Sequence, residues 1–210
     1  MIEIYENYWK EIAGDQLSDF NLKWPELKRY IPKAGGEVIL DFGCGNGKII
    51  KEMMVINPKA KFIGIDVSQT ALNVAAQQTP KAEFYKINDG DKFPFKDESI
   101  DFVFASEVIE HVYNSEKVFK EISRVLKWEG KTLLTTPYHG FIKNIVISVY
   151  DFNRHFNPNG PHIRFYTKKS LFANLERVGI KPIKYGYFGR FYPVPHCIFV
   201  IGAKLKEGRG

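Results

Sequence analysis

Three carboxylates around a glycine loop are the first residues in this chain with the types and spacing to do chemistry. The stretch Val38 to Ile50 reads VILDFGCGNGKII, with Gly43, Gly45 and Gly47 directly after an apolar run. Glycines so placed allow a tight turn and let backbone approach a ligand, and a helix that follows offers N–H groups with no partner of their own. A dinucleotide or another adenosyl cofactor would suit such a loop. The dinucleotide pattern G-x-G-x-x-G asks for a third glycine where this chain has Lys48. Asp41 at the loop mouth separates the alternatives further: a carboxylate repels a pyrophosphate and attracts the ammonium and sulfonium of S-adenosylmethionine (SAM). Asp66 follows about 20 residues later, where a carboxylate accepts ribose hydroxyls in either cofactor class. Asp89 can accept from the exocyclic amine of an adenine, and each acid alone could equally be a cap or turn residue.

A second constellation is SEVIEHV, in which Glu107, Glu110 and His111 are separated by three and four positions and so share one face of a helical turn. There His111 reads as a general base whose tautomer a neighbouring carboxylate fixes. The plainer alternative is a turn that Glu110 and His111 merely hold. The remaining histidines, His139, His155, His162 and His196, show no H-x-x-x-H spacing, and no zinc site is expected.

These residues need strands to carry them. EVILDFG, KFIGIDV, AEFYKIN, IDFVFAS and KTLLTTP read as buried strands, and the three acids fall at the ends of the first three. Between them lie helical patterns: NGKIIKEMMVIN up to Pro58, a helix capped by Ser68 that runs to Pro80, and SEKVFKEISRVLK after Asn114. The tail adds TKKSLFANLERVG as a helix and IKPIKYGYF and HCIFVIGAKL as strands. This alternation predicts an α/β chain with a mostly parallel sheet and helices on both faces. We divide the single domain 1–210 into an N-terminal helical cap (1–36), a cofactor-binding core (37–137), an acceptor lid (138–166) and a final helix with strands (167–210). The apolar run Phe141 to Tyr150 is expected to be a lid helix packed on the core.

The 210 residues, 44% hydrophobic and 15% aromatic, suffice for one core. Cys44 and Cys197 cannot build a disulfide framework, which predicts a reduced, cytoplasmic protein. The N-terminal stretch does not resemble a secretory signal, and no run reaches the roughly 18 apolar residues of a membrane span. Residues 1–119 hold 14 Lys and Arg against 19 Asp and Glu, whereas residues 120–210 hold 16 against 5. A half so basic fits a solvated surface, an anionic acceptor, nucleic acid or an anionic membrane.

In ordered series, VILDFGCGNG, FIGIDVS, INDGDKFPFKDESIDFVFASEVIEHV, FKEISRVLKWEGKTLLTTP and HIRFYTKKSLFANLERVGI closely resemble the class I SAM-dependent methyltransferases, in the branch of the quinone-biosynthesis O-methyltransferases. The resemblance implies a Rossmann-like seven-stranded sheet whose last strand is antiparallel, and a cofactor at the carboxyl ends of the strands. It implies that Asp41, Gly43, Cys44, Gly45 and Gly47 face the methionine part, Asp66 with Val67 the ribose, and Asp89 with Gly90 the adenine, while Ser106 and Glu107 lie near the transferred methyl. It also suggests Mg²⁺ held by Glu107, Glu110 and His111 as a rival to the base. KWEG, Lys127 to Gly130, departs from the usual Lys-Pro-Gly-Gly, and Gly130 is expected to supply the permissive residue. The motif of base-amine methylation, Asn- or Asp-Pro-Pro-aromatic, is absent here, which disfavours nucleic acid. The reaction expected is transfer to a hydroxyl of a small molecule, releasing S-adenosylhomocysteine; an RNA or lipid acceptor, or a SAM-binding protein without activity, are the alternatives. Acceptor contacts are expected from Tyr5, Tyr8, Trp9, Tyr138, His139, His162, Arg164 and Tyr166, with Arg164 receiving an anionic group. Peripheral membrane contact through the lid is the lesser reading, and the oligomeric state has no signature.

Overall fold

The β-branched and aromatic runs form one seven-stranded sheet in a computed structural model that describes Glu6, Trp9, residues 20–157 and residues 160–206. The strands are β1 (Val38–Phe42), β2 (Lys61–Asp66), β3 (Glu83–Lys86), β4 (Ile100–Ser106), β5 (Leu126–Pro137), β6 (Ile180–Phe188) and β7 (Cys197–Lys204). Their order across the sheet is β3-β2-β1-β4-β5-β7-β6; β7 runs antiparallel to both its neighbours and the other pairs are parallel. Because β1 pairs with β2 on one side and β4 on the other, the connections part there, and a crevice opens at the carboxyl ends of these strands.

Alternate strand residues feed two cores. Leu40, Ile63, Ile65, Val103 and Leu134 pack on one face, with Val118, Phe119 and Ile122 of α4 (Ser115–Val125) and Leu171 and Leu175 of α7 (Lys168–Glu176). Ile39, Phe62, Phe102, Phe104 and Leu133 pack on the other, with Trp24 and Leu27 of α1 (Phe20–Leu27) and Ile50 and Met53 of α2 (Lys48–Ile56). Strands covered on both faces need apolar residues throughout, which is how their sequences read. Helix α3 (Gln69–Gln78) starts where expected: Ser68 Oγ accepts the Ala71 N–H at 3.2 Å. Asn114 caps α4 in the same way, its Oδ1 accepting the Lys117 N–H.

Three details differ from the sequence reading. The third helix stops at Val125 rather than Lys127, because Leu126 is already extended and pairs with Ile100. In KWEG it is Glu129 that takes the left-handed backbone, φ 65°; Gly130 is needed for closeness instead, since a Cβ there would lie 2.7 Å from the Lys127 carbonyl oxygen. The lid run does form helix α5 (Phe141–Tyr150), followed by the short α6 (Phe152–His155), but α5 does not pack as expected: it buries only Lys143 and Ile147, and Phe141 and Tyr150 are 80% and 84% exposed. Apolar residues lie on every side of the helix, so no apolar stripe says which face turns inward.

The basic second half spends part of its charge internally. Lys120 pairs with Glu116, Arg124 with Asp97 and Glu121, Lys204 with Glu98 and Lys206 with Glu129. Among the described residues no helix is long and apolar enough to cross a membrane.

Candidate active site

The loop after β1 is shaped by its glycines. Gly43, Gly45 and Gly47 have φ of 76°, 50° and 80°, a region costly for any residue with a Cβ. The N–H groups of Gly43 and Cys44 both donate to the Ile65 carbonyl, tying the loop to the end of β2. From that end Asp66 reaches back: Oδ2 accepts the Gly45 N–H and Oδ1 the Ser68 N–H, each at 2.9 Å, and the Val67 backbone also donates to it. Burial raises the Asp66 carboxyl and these donors oppose the rise. Asp66 therefore couples the glycine loop to the start of α3.

Asp41 lies beneath the loop rather than at its mouth. It is 2% exposed, and its Oδ2 has no hydrogen-bond partner among the described residues. Burial, with Asp66 beside it, pushes its carboxyl up to about 8. Cys44, also buried, is held well above the usual thiol range by burial first and by Asp66 and Asp41 next. Glu6 and Trp9 lie on the far side. Trp9 packs where a Gly45 Cβ would stand, 2.5 Å from its ring, and Glu6 accepts from the Gln69 and Thr70 N–H groups and from Ser68 Oγ at the start of α3. A hydrogen bond from the Thr70 side chain contributes most, and with these contacts it holds Glu6 down to about 2 against the opposing effect of burial. Tyr5 and Tyr8 lie outside the described residues.

After β3, Asp89 Oδ2 accepts the Tyr113 N–H at 2.8 Å, which ties this turn to the loop after β4; its Oδ1 is buried without a partner among the described residues, and Gly90 has φ 81°. Ser106 Oγ lies 2.8 Å from Thr135 Oγ1. Glu107 takes φ 56° and turns toward β5 and β7: Oε1 accepts from Thr135 Oγ1 at 2.9 Å and meets Lys23 Nζ at 3.2 Å, and Oε2 lies 3.7 Å from Cys197 Sγ. Lys23 is almost fully buried; burial, the largest influence, lowers its ammonium, but Glu107 and Cys197 together outweigh it and hold the group above its ordinary value. Cys197 is pushed up to about 12, by burial and then by Glu107.

Glu110 and His111 do share a site. Glu110 is 1% exposed; Oε2 accepts from Thr136 Oγ1, Oε1 accepts no hydrogen bond from the described residues, and burial with Glu107 nearby raises the carboxyl well above its usual range. His111 Nδ1 lies 2.9 Å from the Pro161 carbonyl, its Nε2 lies 3.8 Å from Glu110 Oε1, and its ring stacks obliquely on His162 at 4.8 Å. Burial lowers the His111 imidazole. Glu107, expected to join them around an ion, is instead committed to Lys23; Glu110, His111 and His162 are the residues whose ligand atoms lie within 4.8 Å of one another.

The expected acceptor residues divide by what they touch. Tyr138 and Tyr166 form a bridge between the lid's two ends, both nearly buried, with the Tyr138 ring against Tyr187. His139 is buried, its Nδ1 3.1 Å from Asn144 Oδ1, and burial takes its imidazole down to about 4. The Arg164 guanidinium is used locally: Nε donates to the Val112 carbonyl at 2.8 Å and Nη2 to that of Tyr113. That corrects its expected role, because these bonds hold the loop after β4 and leave the fork facing backbone carbonyls. Lys23, Glu6, Thr135 and Cys197 were not anticipated. Lys23 sits among Leu22 and Trp24 in a helix and Cys197 in an apolar strand, and neither position carries a motif.

A glycine cradle closed by Asp66, an orphaned carboxyl oxygen beneath it and a crevice at the sheet's switch point define a protein that binds an adenosyl cofactor with a cationic end. Comparison with known proteins agrees: residues 40–134 match the methyltransferase domain family. The uncharacterized protein MJ1123 of Methanocaldococcus jannaschii is 30% identical over 160 residues, 75% of this chain and 70% of that one. The malonyl-[acyl-carrier protein] O-methyltransferase of Legionella pneumophila is 35% identical over 100 residues, 47% of this chain and 35% of that one, so the match spans about a third of that enzyme. The fold superposes on a SAM-dependent methyltransferase from Aquifex aeolicus with a TM-score of 0.72, at 18% identity, covering 95% of this chain and 98% of that one. The chain belongs to the class I SAM-dependent methyltransferases, and its cofactor is SAM.

Asp41 makes that fit testable. With its carboxyl at about 8, it is mostly protonated at neutral pH, and a cation seated beside it draws the proton off. SAM binding at pH 7 is thus expected to release a proton and to tighten as pH rises toward 8. Calorimetry in two buffers of different ionisation enthalpy reads the release directly. Asp41→Asn should abolish it; equal release in the variant would remove Asp41 from the cofactor site.

Proposed function

We propose that this chain transfers a methyl group to a hydroxyl oxygen of a small-molecule acceptor, with His111 taking the hydroxyl proton and S-adenosylhomocysteine as the product. When bound, SAM supplies a methyl on a sulfonium whose departure needs no acid. The chain's own work is then to orient the acceptor, exclude water and remove one proton. Residues Gly43 to Gly47 with Asp41, Asp66, Val67, Asp89, Gly90 and Ser106 would hold the cofactor.

The observation that carries the reading is the His111 hydrogen bond. Because a carbonyl can only accept, Nδ1 must bring the hydrogen to Pro161, which leaves the lone pair on Nε2. Nε2 points toward Glu110, at the carboxyl end of β4, beside Ser106 and Glu107. A buried carboxyl that favours its neutral form does not fix a proton on that imidazole, so His111 stays a base at neutral pH. The O-methyltransferase among the relatives lends support to an oxygen acceptor.

Rate measured against pH, with and without a chelator, tests this in wild type and His111→Ala. Since burial lowers the imidazole, the acid limb of the rate should lie below the ordinary histidine value of about 6.5: rate is kept above the lowered value and lost as pH falls through it. His111→Ala should cost about 100-fold in kcat. Loss of rate to the chelator, restored by Mg²⁺, would instead favour an ion held by Glu110, His111 and His162. An unchanged rate in the variant would leave His111 as a turn residue only.

A further inference from the structure

All five histidines of the chain gather over one end of the sheet, and a buried lysine stands among them. His111 and His162 touch at 4.8 Å between ring centroids, and His139 and His155 at 5.2 Å. His196, on the loop before β7, lies within electrostatic reach of both His155 and His162. The lysine is Lys143, on the inward side of α5. It is 8% exposed, its Nζ donates to the His196 carbonyl at 3.0 Å, and its charge is felt by His139 and His155.

The balance of charge here is one-sided. Glu107 is already paired with Lys23, Asp151 with Arg154, and Glu110 favours its neutral form. Among the described residues Lys143 makes no ion pair with a carboxylate, and Arg190 adds a further positive charge nearby. A buried ammonium with one carbonyl for company is costly unless an anion joins it. His155 Nε2 is buried too and has no hydrogen-bond partner among the described residues. Two polar groups, from α5 and α6, are thus left with unused hydrogen-bonding capacity at the same place.

Resting on the methyl-transfer reading, we infer that the acceptor carries an oxyanion, a carboxylate or a phosphate, received by Lys143 and His155 beneath the lid. Lys143 supplies the charge. His155, neutral, supplies an N–H when Nε2 carries its hydrogen. His139 stands beside both and fixes its own ring through Asn144. The anion is therefore bound on the lid side of His111, while the acceptor's hydroxyl faces the base. Arg164, held on backbone carbonyls, has no part in it.

The pH dependence has a definite sign. Burial and Arg190 lower Lys143, with Cys197 and Glu107 opposing, and burial lowers His139, His155 and His162. An anion favours the protonated form of each, so binding takes up protons. Affinity is greatest at low pH and declines as pH rises through the values of these groups in the bound state.

Imidazole ring signals in proton NMR of the full chain, recorded without SAM, read this binding independently of catalysis. Inorganic phosphate and sodium acetate serve as separate probes at constant ionic strength. Saturable shifts of the His139 and His155 signals with phosphate alone point to a phosphorylated acceptor, and with acetate alone to a carboxylate. Lys143→Gln should weaken the binding about tenfold or more, as loss of one charge-assisted contact does. Lys143→Arg should retain most of it, and Lys81→Gln, before β3, should change nothing. Sulfate, which does not titrate between about pH 6 and 9, should bind wild type more weakly as pH rises. Absence of any saturable shift, or equal affinity in wild type and Lys143→Gln, would overturn the inference; if Lys143→Gln fails to fold, the wild-type titration still decides. A SAM titration of the same sample by melting temperature tests the methyltransferase reading separately.

Discussion

Gly43→Ala is expected to abolish measurable SAM binding and to destabilise the fold by about 2–5 kcal/mol, the combined scale of a left-handed residue with a Cβ and of overpacking. Both causes act at this position. The backbone is at φ 76°, and the added Cβ would stand 2.3 Å from Val108 Cγ2 and 3.1 Å from Cγ1. Val108 packs against the core and has little room to retreat. Relief by rotating the backbone instead would break the Gly43 N–H bond to Ile65 and carry the loop away from β2. The double variant with Val108→Ala removes the clash and leaves the unfavourable φ, so it should recover only part of the stability. Denaturant unfolding of the two variants measures both parts. Wild-type stability in Gly43→Ala would mean that the loop does not adopt this conformation.

Asp66→Ala should lower SAM affinity about 10- to 100-fold, with a smaller effect on folding. The carboxylate is expected to meet cofactor hydroxyls, each bond to a charged group being worth about 1.5–3 kcal/mol. The structure adds a reason for the larger figure. By holding the Gly45 and Ser68 N–H groups, Asp66 fixes the loop before any ligand arrives, and its loss leaves that ordering to be done on binding. Folding suffers less, because burial already disfavours the Asp66 charge and its removal relieves that cost. Calorimetry showing unchanged SAM affinity would assign Asp66 to the loop alone.

The fold was legible wherever a local rule acts alone. Strand alternation with helices, the Ser68 and Asn114 caps and the glycine spacing each follow from backbone chemistry within a few residues, and the seven strands with an antiparallel last one follow from the resemblance those motifs carry. The site was legible in part, for a physical reason. Asp66 and the loop glycines lie within one β-α-β unit, so spacing alone places them near each other. Lys23 meets Glu107, and Lys143 meets His196, only through the tertiary fold, across sequence separations that no periodicity spans. Arg164 shows the opposite error: an arginine among aromatics suggests an anion site, yet its guanidinium is consumed by carbonyls that only the folded loop brings near. The orientation of α5 was hidden because apolar residues lie on every side of it and its one charged residue, Lys143, turns inward rather than to solvent.

The position of β7 between β5 and β6 sets a condition on how the chain can be made. Synthesis delivers β1, β2, β3 and β4 early, and β5 can then join β4 along one edge. Its other edge, from Lys131 to Pro137, stays without a partner until Cys197 to Lys204 have left the ribosome. At a few residues per second or somewhat faster, the unpaired interval lasts on the order of several seconds. During that time an apolar strand edge holding Leu133 and Leu134 is open to pairing with another nascent chain. The same late strand brings Cys197 against Glu107, so one half of the crevice is completed only once β7 has been made. A truncation that spares the whole glycine loop but removes residues 197–204 would leave both the sheet and that half of the crevice incomplete.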